Sequence, residues 1–257
     1  MLSYQHIYHA GNLADVHKHA ALAWMLKYMT AKPKPISYLE SHAGRAVYDL
    51  DAPEAKRTGE AMQGIDQTLS WFSQDHPYAQ AVAATRAVAG STAYPGSPAI
   101  ARHLLRSTDS LHLAELHPQE NAALSKTMGR AAKVYQQDGL TLMRSLSPPM
   151  PRRGLMLIDP SYEQADEYLW MPRLLGDVHR KWNVGIVVLW YPILTHGAQA
   201  AMVQSLRRAL PEGLSNEVTF PPARPGHRMI GSGLFVLNPP YGLAAEMDAL
   251  NGRFASL

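Results

Sequence analysis

The sequence predicts an α/β fold, a Rossmann-like domain with a mostly parallel sheet. Short apolar runs of strand length alternate along the chain with longer segments whose apolar residues recur at helical spacing. This alternation is typical of βαβ units, in which crossover helices cover a parallel sheet. The 257 residues, 46% of them hydrophobic and 18% charged, suffice for a packed core. We therefore predict a single domain that spans residues 1–257.

The predicted elements begin with a helix after Asn12, a good N-cap residue, that continues to about Thr30. A short strand from Ile36 to Glu40 follows, and then a turn that contains Gly44. Five later segments are predicted strands: LHLAEL, AKVYQQ, LMLID, VGIVVLW and GLFVLN. Helical patterns such as PQENAALSKTMG and THGAQAAMVQSLRRAL separate most of them. The last strand is predicted to belong to a closing hairpin.

One connection is too long for this fold. In dinucleotide-binding folds, the acid that contacts ribose follows the first glycine turn by about 20 residues. The stretch from Gly44 to Glu115 is longer by roughly fifty residues, which indicates an insertion. The inserted residues, 48–94, contain two segments of helical pattern, AKRTGEAMQGIDQTLSWF and YAQAVAATRAVA. We predict a helical subdomain beside the sheet edge, and leave open whether it covers substrate or only packs.

Composition excludes several classes of function. The chain has no cysteine, so thiol nucleophiles, thiolate metal sites and disulfides are excluded. The segment MLSYQHIYHAGN has no secretory pattern, and no apolar run reaches the roughly 20 residues that span a bilayer. We therefore expect a cytoplasmic protein that does not associate with membranes. A net charge of +3 permits a polyanionic partner without requiring one.

Polar side chains, most of them acidic, end the predicted strands. They are Glu40, Glu115, Asp138, Asp159 and, after the last strand, Asn238. Ligands of open α/β sheets bind outside the carboxyl ends of the strands. Acids after strands also serve as helix N-caps, which would explain one or two of them. Acids at four successive strand ends favour a ligand-binding edge.

The segment GLMLIDPSYEQ, residues 154–164, contains the tetrapeptide Asp159-Pro160-Ser161-Tyr162, which resembles the Asp-Pro-Pro-Tyr tetrad of enzymes that methylate the exocyclic amino groups of bases. The amino nitrogen of adenine is a poor nucleophile because its lone pair is delocalised into the ring. A carboxylate and a backbone carbonyl that accept its N–H bonds help direct the lone pair toward an incoming methyl group, and an aromatic ring can stack on the base. Asp159, the Pro160 carbonyl and Tyr162 supply these parts in order. The alternative is an ordinary turn, since Asp-Pro is common after strands.

A second, similar tetrapeptide is Asn238-Pro239-Pro240-Tyr241. It follows the last strand, and a closing hairpin would direct its end away from the ligand edge. Asp159 instead follows the strand predicted to lie beside the first one, at the topological switch point. We therefore predict that Asp159 is functional and that the second tetrapeptide is a rigid turn.

The remaining strand ends suit a cofactor that contains a nucleoside. Glu115 suits a ribose diol, and Asp138-Gly139 suits an adenine amino group, with glycine allowing close backbone approach. The turn ESHAGRAVY has one glycine and no G-x-G-x-x-G pattern, which disfavours nicotinamide and flavin cofactors because they carry phosphates. S-adenosyl-L-methionine has no phosphate and fits the sparse turn.

In this order, the motifs resemble the ribosomal RNA large subunit methyltransferase J family. The segments that carry the resemblance are MLSYQHIYHAGNLADVHKH, YLESHAG, YPGSPAIARHLLR, LAELHP, QQDG, RRGLMLIDPSYE, LWYP and the final NPPY. The resemblance implies a class I methyltransferase fold with a helical insertion. It also implies S-adenosylmethionine-dependent methylation of an adenine N6 in 23S ribosomal RNA, either as free RNA or in an assembly intermediate.

The resemblance further implies which residues form the site. The implied cofactor-binding residues are His19, His42, Ser97, Glu115, Asp138, Gly139 and Asp159; Tyr4, Pro160 and Tyr162 bind substrate, and Asp159 is also catalytic. Without the resemblance, Ser97 before Pro98 is an ordinary helix N-cap, and His19 is an ordinary helix residue near a surface.

The chain departs from the family pattern at two places. Arg45-Ala46-Val47 follows HAG where a further glycine is expected, which puts the shape of that turn in doubt. Ser161 replaces a proline, whose ring would fix φ near −65°, so we expect weaker preorganisation without loss of chemistry. Two alternatives stay open: a DNA adenine-N6 methyltransferase, and a non-catalytic RNA-binding or ribosome-assembly protein on the same fold.

Other conspicuous residues have ordinary explanations. No metal site is predicted, because His17 and His19 are two apart on a helix and face different directions. Three tryptophans, Trp71, Trp170 and Trp190, are predicted to be core residues. Arg152-Arg153 and the loop PPARPGHRMIGSG, residues 221–233, either contact RNA phosphates or carry solvated surface charge.

Overall fold

The computed structural model describes residues 4–164 and 166–257, so the first residues of the N-terminal block lie outside it. The strands are β1 (Ser37–Glu40), β2 (Val47–Asp49), β3 (Ala93–Pro95), β4 (Ser110–Ala114), β5 (Lys133–Tyr135), β6 (Gly154–Ile158), β7 (Ile186–Leu194), β8 (Leu214–Thr219) and β9 (Met229–Leu237). The α-helices are α1 (Leu13–Thr30), α2 (Pro53–Thr58), α3 (Glu60–Gln63), α4 (Ile65–Thr68), α5 (Pro77–Ala89), α6 (Ser97–Leu104), α7 (Pro118–Met128), α8 (Gly139–Ser145), α9 (Glu167–Lys181), α10 (Ala200–Ala209) and α11 (Leu243–Phe254). Short 3-10 turns cover His6–Tyr8, Leu69–Trp71 and Gly129–Ala131.

The central sheet has the strand order β5-β4-β1-β6-β7-β9-β8. Neighbouring strands from β5 to β7 are parallel, whereas β9 runs antiparallel to both β7 and β8. The predicted Rossmann-like sheet with a closing hairpin is therefore confirmed. The chain builds the sheet outward from β1 to β5 and then crosses to β6, so the topological switch point lies between β1 and β6.

Helices cover both faces of the sheet. In β6, whose residues are all buried, Leu155 and Leu157 pack into one hydrophobic cluster, and Met156 and Ile158 pack into the other. This alternation follows from the two-residue period of a strand. The first cluster includes residues of α1, α5, α6, α7 and α11, and the second includes residues of α8, α9 and α10. Helix α1 also contacts α5, α6 and α11, which explains why most of it is buried.

The insertion between β1 and α6 begins and ends in a small antiparallel ribbon, in which Tyr48 of β2 pairs with Tyr94 of β3. No pattern in the sequence predicted this ribbon. The first helical segment forms three short helices, because Gly59 adopts a left-handed φ of 65° and Gly64 packs against the chain at Gly11. A Cβ on Gly64 would lie 2.0 Å from the Gly11 carbonyl oxygen. The second segment forms α5 as expected; the subdomain boundaries at 48–94 stay a prediction.

Two local predictions are settled by the helix starts. Asn12 is the N-cap of α1, and its side chain accepts a hydrogen bond from the Asp15 N–H at 2.9 Å. The N-cap prediction for Ser97 is wrong: Gly96 is the N-cap of α6, and the Ser97 hydroxyl instead donates to Glu40. The Ser97 hydroxyl therefore binds the buried carboxyl group of Glu40 and does not cap the helix.

The prediction for the tryptophans is also corrected. Trp170 lies on the outer face of α9 and is 54% exposed, whereas Trp71 and Trp190 are half-buried against the first cluster. The residues that α9 buries, Met171, Leu174, Leu175 and Val178, centre on a face roughly 90° around the helix from Trp170, so Trp170 lies at the edge of that face. No helix within residues 4–164 and 166–257 is long and apolar enough to cross a membrane.

Candidate active site

A cavity of about 400 Å³ opens at the carboxyl ends of β1, β4, β5 and β6. Its lining includes all the residues proposed for cofactor and substrate: Tyr4, His19, His42, Ser97, Glu115, Asp138, Gly139, Asp159, Pro160 and Tyr162. These residues are distant in the sequence, and parallel strands that end at one edge bring them together. The volume lies in the range of small-molecule sites.

The second tetrapeptide lies elsewhere. Because β9 is antiparallel to β7, Asn238 follows β9 at the opposite edge of the sheet. Its side-chain amide donates to the carbonyls of Asn183 and Gly185 at 3.0 and 2.7 Å, and its φ is 51°. These contacts hold the tetrapeptide in the turn after β9, as the strand order predicted.

Glu115 is held at the end of β4 by two backbone groups. Its carboxylate accepts the Gly44 N–H at 2.9 Å and the His117 N–H at 2.7 Å. Burial raises the pKa of Glu115 above its ordinary value, although these N–H groups act in the opposite direction. A carboxylate has about four lone-pair sites, so a ribose diol can still donate to it.

Asp138 and Gly139 form the floor of the part of the cavity that is predicted to hold the cofactor. Asp138 is the N-cap of α8 and accepts the Thr141 N–H at 2.7 Å. It therefore has a capping role whether or not it also binds a ligand. A Cβ on Gly139 would lie 1.8 Å from the Ser41 carbonyl oxygen. Only glycine therefore lets α8 begin this close to the end of β1. The Ser41 hydroxyl also lies 2.7 Å from His42 Nδ1, which fixes that ring in the lining.

A buried carboxylate lies behind Ser97. Glu40, the last residue of β1, accepts hydrogen bonds from the hydroxyls of Ser97 and Tyr38, the latter at 2.9 Å. Burial raises the pKa of Glu40 to about 8, although the two hydroxyls oppose the shift. The start of α6 is thereby tied to the end of β1, and Ser97 reaches the cavity wall.

Sequence reasoning missed Lys18, the residue closest to the candidate catalytic group. Its Nζ donates to Asp159 Oδ2 at 2.6 Å and lies 3.1 Å from Asp15 Oδ1. Burial alone would lower the pKa of Lys18, but the charges of Asp159 and Asp15 raise it above its ordinary value. The available signal was an aspartate and a lysine three residues apart in the first two turns of a mostly apolar helix.

From Asp15, hydrogen bonds continue to the mouth of the cavity. Asp15 Oδ2 lies 2.9 Å from His6 Nε2, and His6 Nδ1 lies 2.9 Å from the Tyr4 hydroxyl. Burial would raise the pKa of Asp15, but the charges of His6 and Lys18 hold it well below its ordinary value. Tyr4 is 39% exposed and stacks on His9, with ring centroids 5.7 Å apart.

Tyr162 forms part of the cavity wall. Its hydroxyl donates to the Trp190 carbonyl at 2.9 Å, and its ring lies 4.5 Å from that of Tyr168. Its φ of 53° is unusual for a bulky residue, so the surrounding contacts hold the backbone there. Stacking of Tyr162 on a base stays a prediction, as does the effect of Ser161.

His19 connects the site to the insertion. Its Nδ1 lies 2.8 Å from the Tyr94 hydroxyl, which lies 2.9 Å from the hydroxyl of Tyr78. Burial lowers the pKa of His19 to about 3, although Asp15 opposes the shift, so the ring is neutral at pH 7. His19 is thus a fully buried residue of the cavity wall, not an ordinary residue near the surface.

The turn at Arg45-Ala46-Val47, where this chain departs from the family pattern, contains a residue in the left-handed conformation. Ala46 has a φ of 70°, a conformation that costs a residue with a Cβ about 1 kcal/mol. Arg45 donates two hydrogen bonds to Glu120 of α7, at 2.8 and 2.5 Å. This bidentate pair ties the turn to α7 and supplies an anchor that glycine would lack.

The charges of the lining suit a cofactor without phosphate. Among the lining residues in the described part of the chain, Lys18 is the one lysine or arginine, and two carboxylates already pair with it. Glu115 and Asp138 on the cofactor side would repel a phosphate and can accept hydrogen bonds from hydroxyl and amino groups. No group of three or more His, Asp or Glu within residues 4–164 and 166–257 could hold a metal ion.

Comparison with known proteins gives consistent matches. The family model described as Ribosomal RNA large subunit methyltransferase D, RlmJ, matches residues 33–255. The Ribosomal RNA large subunit methyltransferase J of Escherichia coli (strain K12) is 36% identical over 256 residues, 96% of this chain and 91% of that protein. The protein of the same name from Haemophilus influenzae is 33% identical, over 97% of this chain and 92% of its own length.

A solved structure agrees with these matches. The crystal structure of a protein from Legionella pneumophila aligns with a TM-score of 0.86 at 33% identity, covering 96% of this chain and 93% of that one. The fold and the motif order therefore have full-length counterparts. The chain belongs to the RlmJ family of ribosomal RNA large subunit methyltransferases.

Proposed function

We propose that this protein methylates the N6 amino group of an adenine in 23S ribosomal RNA, with S-adenosylmethionine as methyl donor. One observation carries the proposal: Asp159 and Pro160 line the same cavity as Glu115 and Asp138. An acceptor pair for an amino group therefore adjoins acids suited to a nucleoside cofactor. The family membership supports ribosomal RNA as the substrate class, and the cytoplasm is the expected location.

The cofactor would be held by His19, His42, Ser97, Glu115 and Asp138-Gly139. Glu115 would accept hydrogen bonds from the ribose diol, and Asp138 would accept one from the adenine amino group. The narrow approach at Gly139 leaves no room for a side chain between α8 and Ser41. When bound, S-adenosylmethionine supplies a methyl group on a positively charged sulfur.

Asp159 would orient the target nitrogen. Lys18 binds Asp159 Oδ2 and fixes the carboxylate, which leaves Oδ1 to accept one N6–H bond. The Pro160 carbonyl would accept the other, so the nitrogen lone pair is directed into the cavity. As the nitrogen gains a methyl group it loses a proton, and we assign to Asp159 the role of accepting it. Positioning supplies most of the remaining rate enhancement.

The adenine must leave its helix to reach this cavity. A stacked and paired base hides its amino group, so a single-stranded or flipped adenosine is the expected form of the substrate. Tyr4 at the mouth and Tyr162 on the wall are the aromatic rings proposed to contact it. Either free RNA or an assembly intermediate can present such a nucleotide.

The test is methyl transfer by purified Asp159→Ala, measured with labelled S-adenosylmethionine and 23S ribosomal RNA freed of protein. We expect activity to fall by roughly 10²-fold or more, since a positioned proton acceptor is removed. Cofactor affinity and the thermal unfolding midpoint show whether the variant folds. Asp248→Asn, an exposed acid on α11, is the matched control and should retain full activity. Undiminished turnover by Asp159→Ala would refute the assignment.

A competition assay separates the two alternatives. Equal amounts of ribosomal RNA and duplex DNA are offered, and methyl incorporation into each is measured. We expect the label in RNA, and label in DNA would support the DNA methyltransferase instead. Cofactor binding without transfer to any nucleic acid would support a non-catalytic RNA-binding or assembly protein.

A further inference from the structure

A buried carboxylate joins three separate segments at the mouth of the cavity. Glu60 of α3 is 2% exposed, and its carboxylate lies 3.0 Å from His9 Nδ1 and 3.0 Å from the Asn12 amide. Arg224 and His227, from the loop between β8 and β9, approach it to 3.4 and 4.0 Å. The insertion, the N-terminal segment and the hairpin loop therefore meet at one negative charge.

Three basic side chains surround this carboxylate: Arg224 balances its charge, and the two histidines add ring nitrogens that can hydrogen-bond. Arg224 has an exposed side chain, and His9 and His227 line the cavity. His227 Nδ1 is buried and has no hydrogen-bond partner within residues 4–164 and 166–257. In its Nδ1–H tautomer, the ring can donate from this nitrogen to an acceptor that residues 4–164 and 166–257 do not supply.

A second arginine is held beside the same segment. Arg57 of α2 donates to the Tyr8 hydroxyl at 2.7 Å, and its guanidinium lies 4.9 Å from the centre of the Tyr8 ring. The Thr58 hydroxyl donates to the Tyr8 carbonyl. These contacts hold Arg57 against Tyr8, the residue that precedes His9 in the chain. Arginine has five N–H donors, so several of them stay available.

Another part of the cavity wall carries negative charge. Glu163 precedes α9 and Glu167 is its first residue, and both line the cavity. A polyanion that crosses the mouth is repelled from that wall and attracted to the basic side. The basic side also adjoins Tyr4, which stacks on His9. A phosphate bound there would belong to the nucleotide whose base enters the cavity, or to its neighbour.

We propose that His9, Arg57, Arg224 and His227 form a phosphate-binding rim that holds the RNA backbone beside the target adenosine. The proposal rests on the proposed function and extends it to the site that holds the substrate backbone. It gives the insertion a role, because α2 and α3 contribute Arg57 and the Glu60 that organises the rim. Phosphate contacts of this kind fix the register of the strand and carry no sequence information.

Arg57→Ala, Arg224→Ala and the double variant test the rim, with Arg208→Ala on α10 as the matched exposed control. Steady-state methylation of 23S ribosomal RNA is measured at several salt concentrations. Each single variant should raise KM for RNA by roughly threefold or more, and lower the slope of log affinity against log salt by about 1. The kcat and the affinity for S-adenosylmethionine should match those of the wild type, as should every parameter of Arg208→Ala.

Binding to a fluorescent polyadenylate oligonucleotide makes the rim testable apart from catalysis. If the wild type methylates RNA while the rim variants keep its KM and salt dependence, the rim proposal is wrong and the function stands. If the wild type methylates no RNA, the proposed function fails. In that case, unchanged binding by the double variant overturns the rim as well, and weakened, less salt-dependent binding supports it.

Discussion

At the scale of single residues, the pairing of Lys18 with Asp15 and Asp159 distinguishes this site from a simple tetrapeptide motif. A buried lysine is unfavourable unless carboxylates pair with it, and here two do. The ammonium group fixes one oxygen of Asp159 and connects this candidate catalytic residue to His6 and Tyr4 through Asp15. The orientation of Asp159 thus depends on a residue of α1, far away in the sequence.

Lys18→Met tests this dependence. The change removes the buried cation that Asp15 and Asp159 share and leaves His6 as the charged partner of Asp15, so we expect the free energy of unfolding to fall by about 3 kcal/mol. Methylation should fall with it, measured at a temperature where the variant is folded. Lys126→Met on the exposed face of α7 is the control and should alter stability by less than about 0.5 kcal/mol. Equal stability of the two variants would show that the pairing contributes nothing.

His17 lies behind the site in a network of neutral groups. Its Nδ1 lies 2.9 Å from the Ser232 hydroxyl, and its Nε2 lies 2.8 Å from the Asn216 side-chain oxygen. The Trp190 indole N–H also donates to that hydroxyl, at 2.9 Å. Burial lowers the pKa of His17 to about 4, although the hydrogen bond to Asn216 opposes the shift. The ring is therefore neutral in the folded protein at pH 7.

This histidine makes stability depend on pH. Between pH 6.5 and about 4 the unfolded chain binds a proton that the folded chain excludes, so stability falls as the pH falls. The slope is at most about 1.4 kcal/mol per pH unit for one group. His17→Gln should remove that contribution from chemical unfolding curves recorded at pH 4.5–6.5. The control His196→Gln, at an exposed residue, should keep the wild-type dependence of stability on pH. If His17→Gln also keeps that dependence, His17 is not the source of it.

At the scale of elements, the close packing of α8 against the end of β1 determines the shape of the cavity where the cofactor is predicted to bind. Gly139 begins α8 directly against Ser41, whose hydroxyl contacts His42 and whose neighbour Glu40 holds Ser97. A shift of α8 away from β1 would therefore disturb several of the proposed cofactor residues together.

Gly139→Ala produces such a shift, because the new Cβ would lie 1.8 Å from a backbone oxygen. We expect a loss of about 1–3 kcal/mol in stability from overpacking. Methylation should fall by roughly 10²-fold because the site is misplaced, with weaker cofactor binding by calorimetry. Gly252→Ala in α11 meets no atom within 4 Å and should keep full activity. Normal cofactor affinity in Gly139→Ala would mean that the floor is not part of the site.

At the scale of the whole molecule, the mostly parallel sheet was the part of the structure that the sequence predicted best. Short apolar runs that alternate with helical segments indicated the sheet, and its topology separates Asp159 from Asn238 by the full length of the strands. The residues at strand ends needed no knowledge of side-chain packing, because the ends of parallel strands meet wherever the sheet forms.

Contacts that depend on packing between distant segments were not predictable in this way. Lys18 meets Asp159 only because α1 packs with Lys18 in the cavity lining, and α1 is buried on nearly all sides, so its pattern does not show which face lines a cavity. Ser97 was misassigned because Glu40, far from it in sequence, takes its hydroxyl. Trp170 was misassigned because a tryptophan alone does not indicate which face of α9 is buried.

We propose that this protein methylates an adenine N6 of 23S ribosomal RNA and that Asp159 is required for the reaction. The decisive experiment maps N6-methyladenine along 23S ribosomal RNA from cells with the gene, without it, and with the deletion rescued by wild type or by Asp159→Ala. We expect one methylated adenine to disappear on deletion and to return with the wild type but not with the variant. Identical maps with and without the gene, or full rescue by Asp159→Ala, would contradict it.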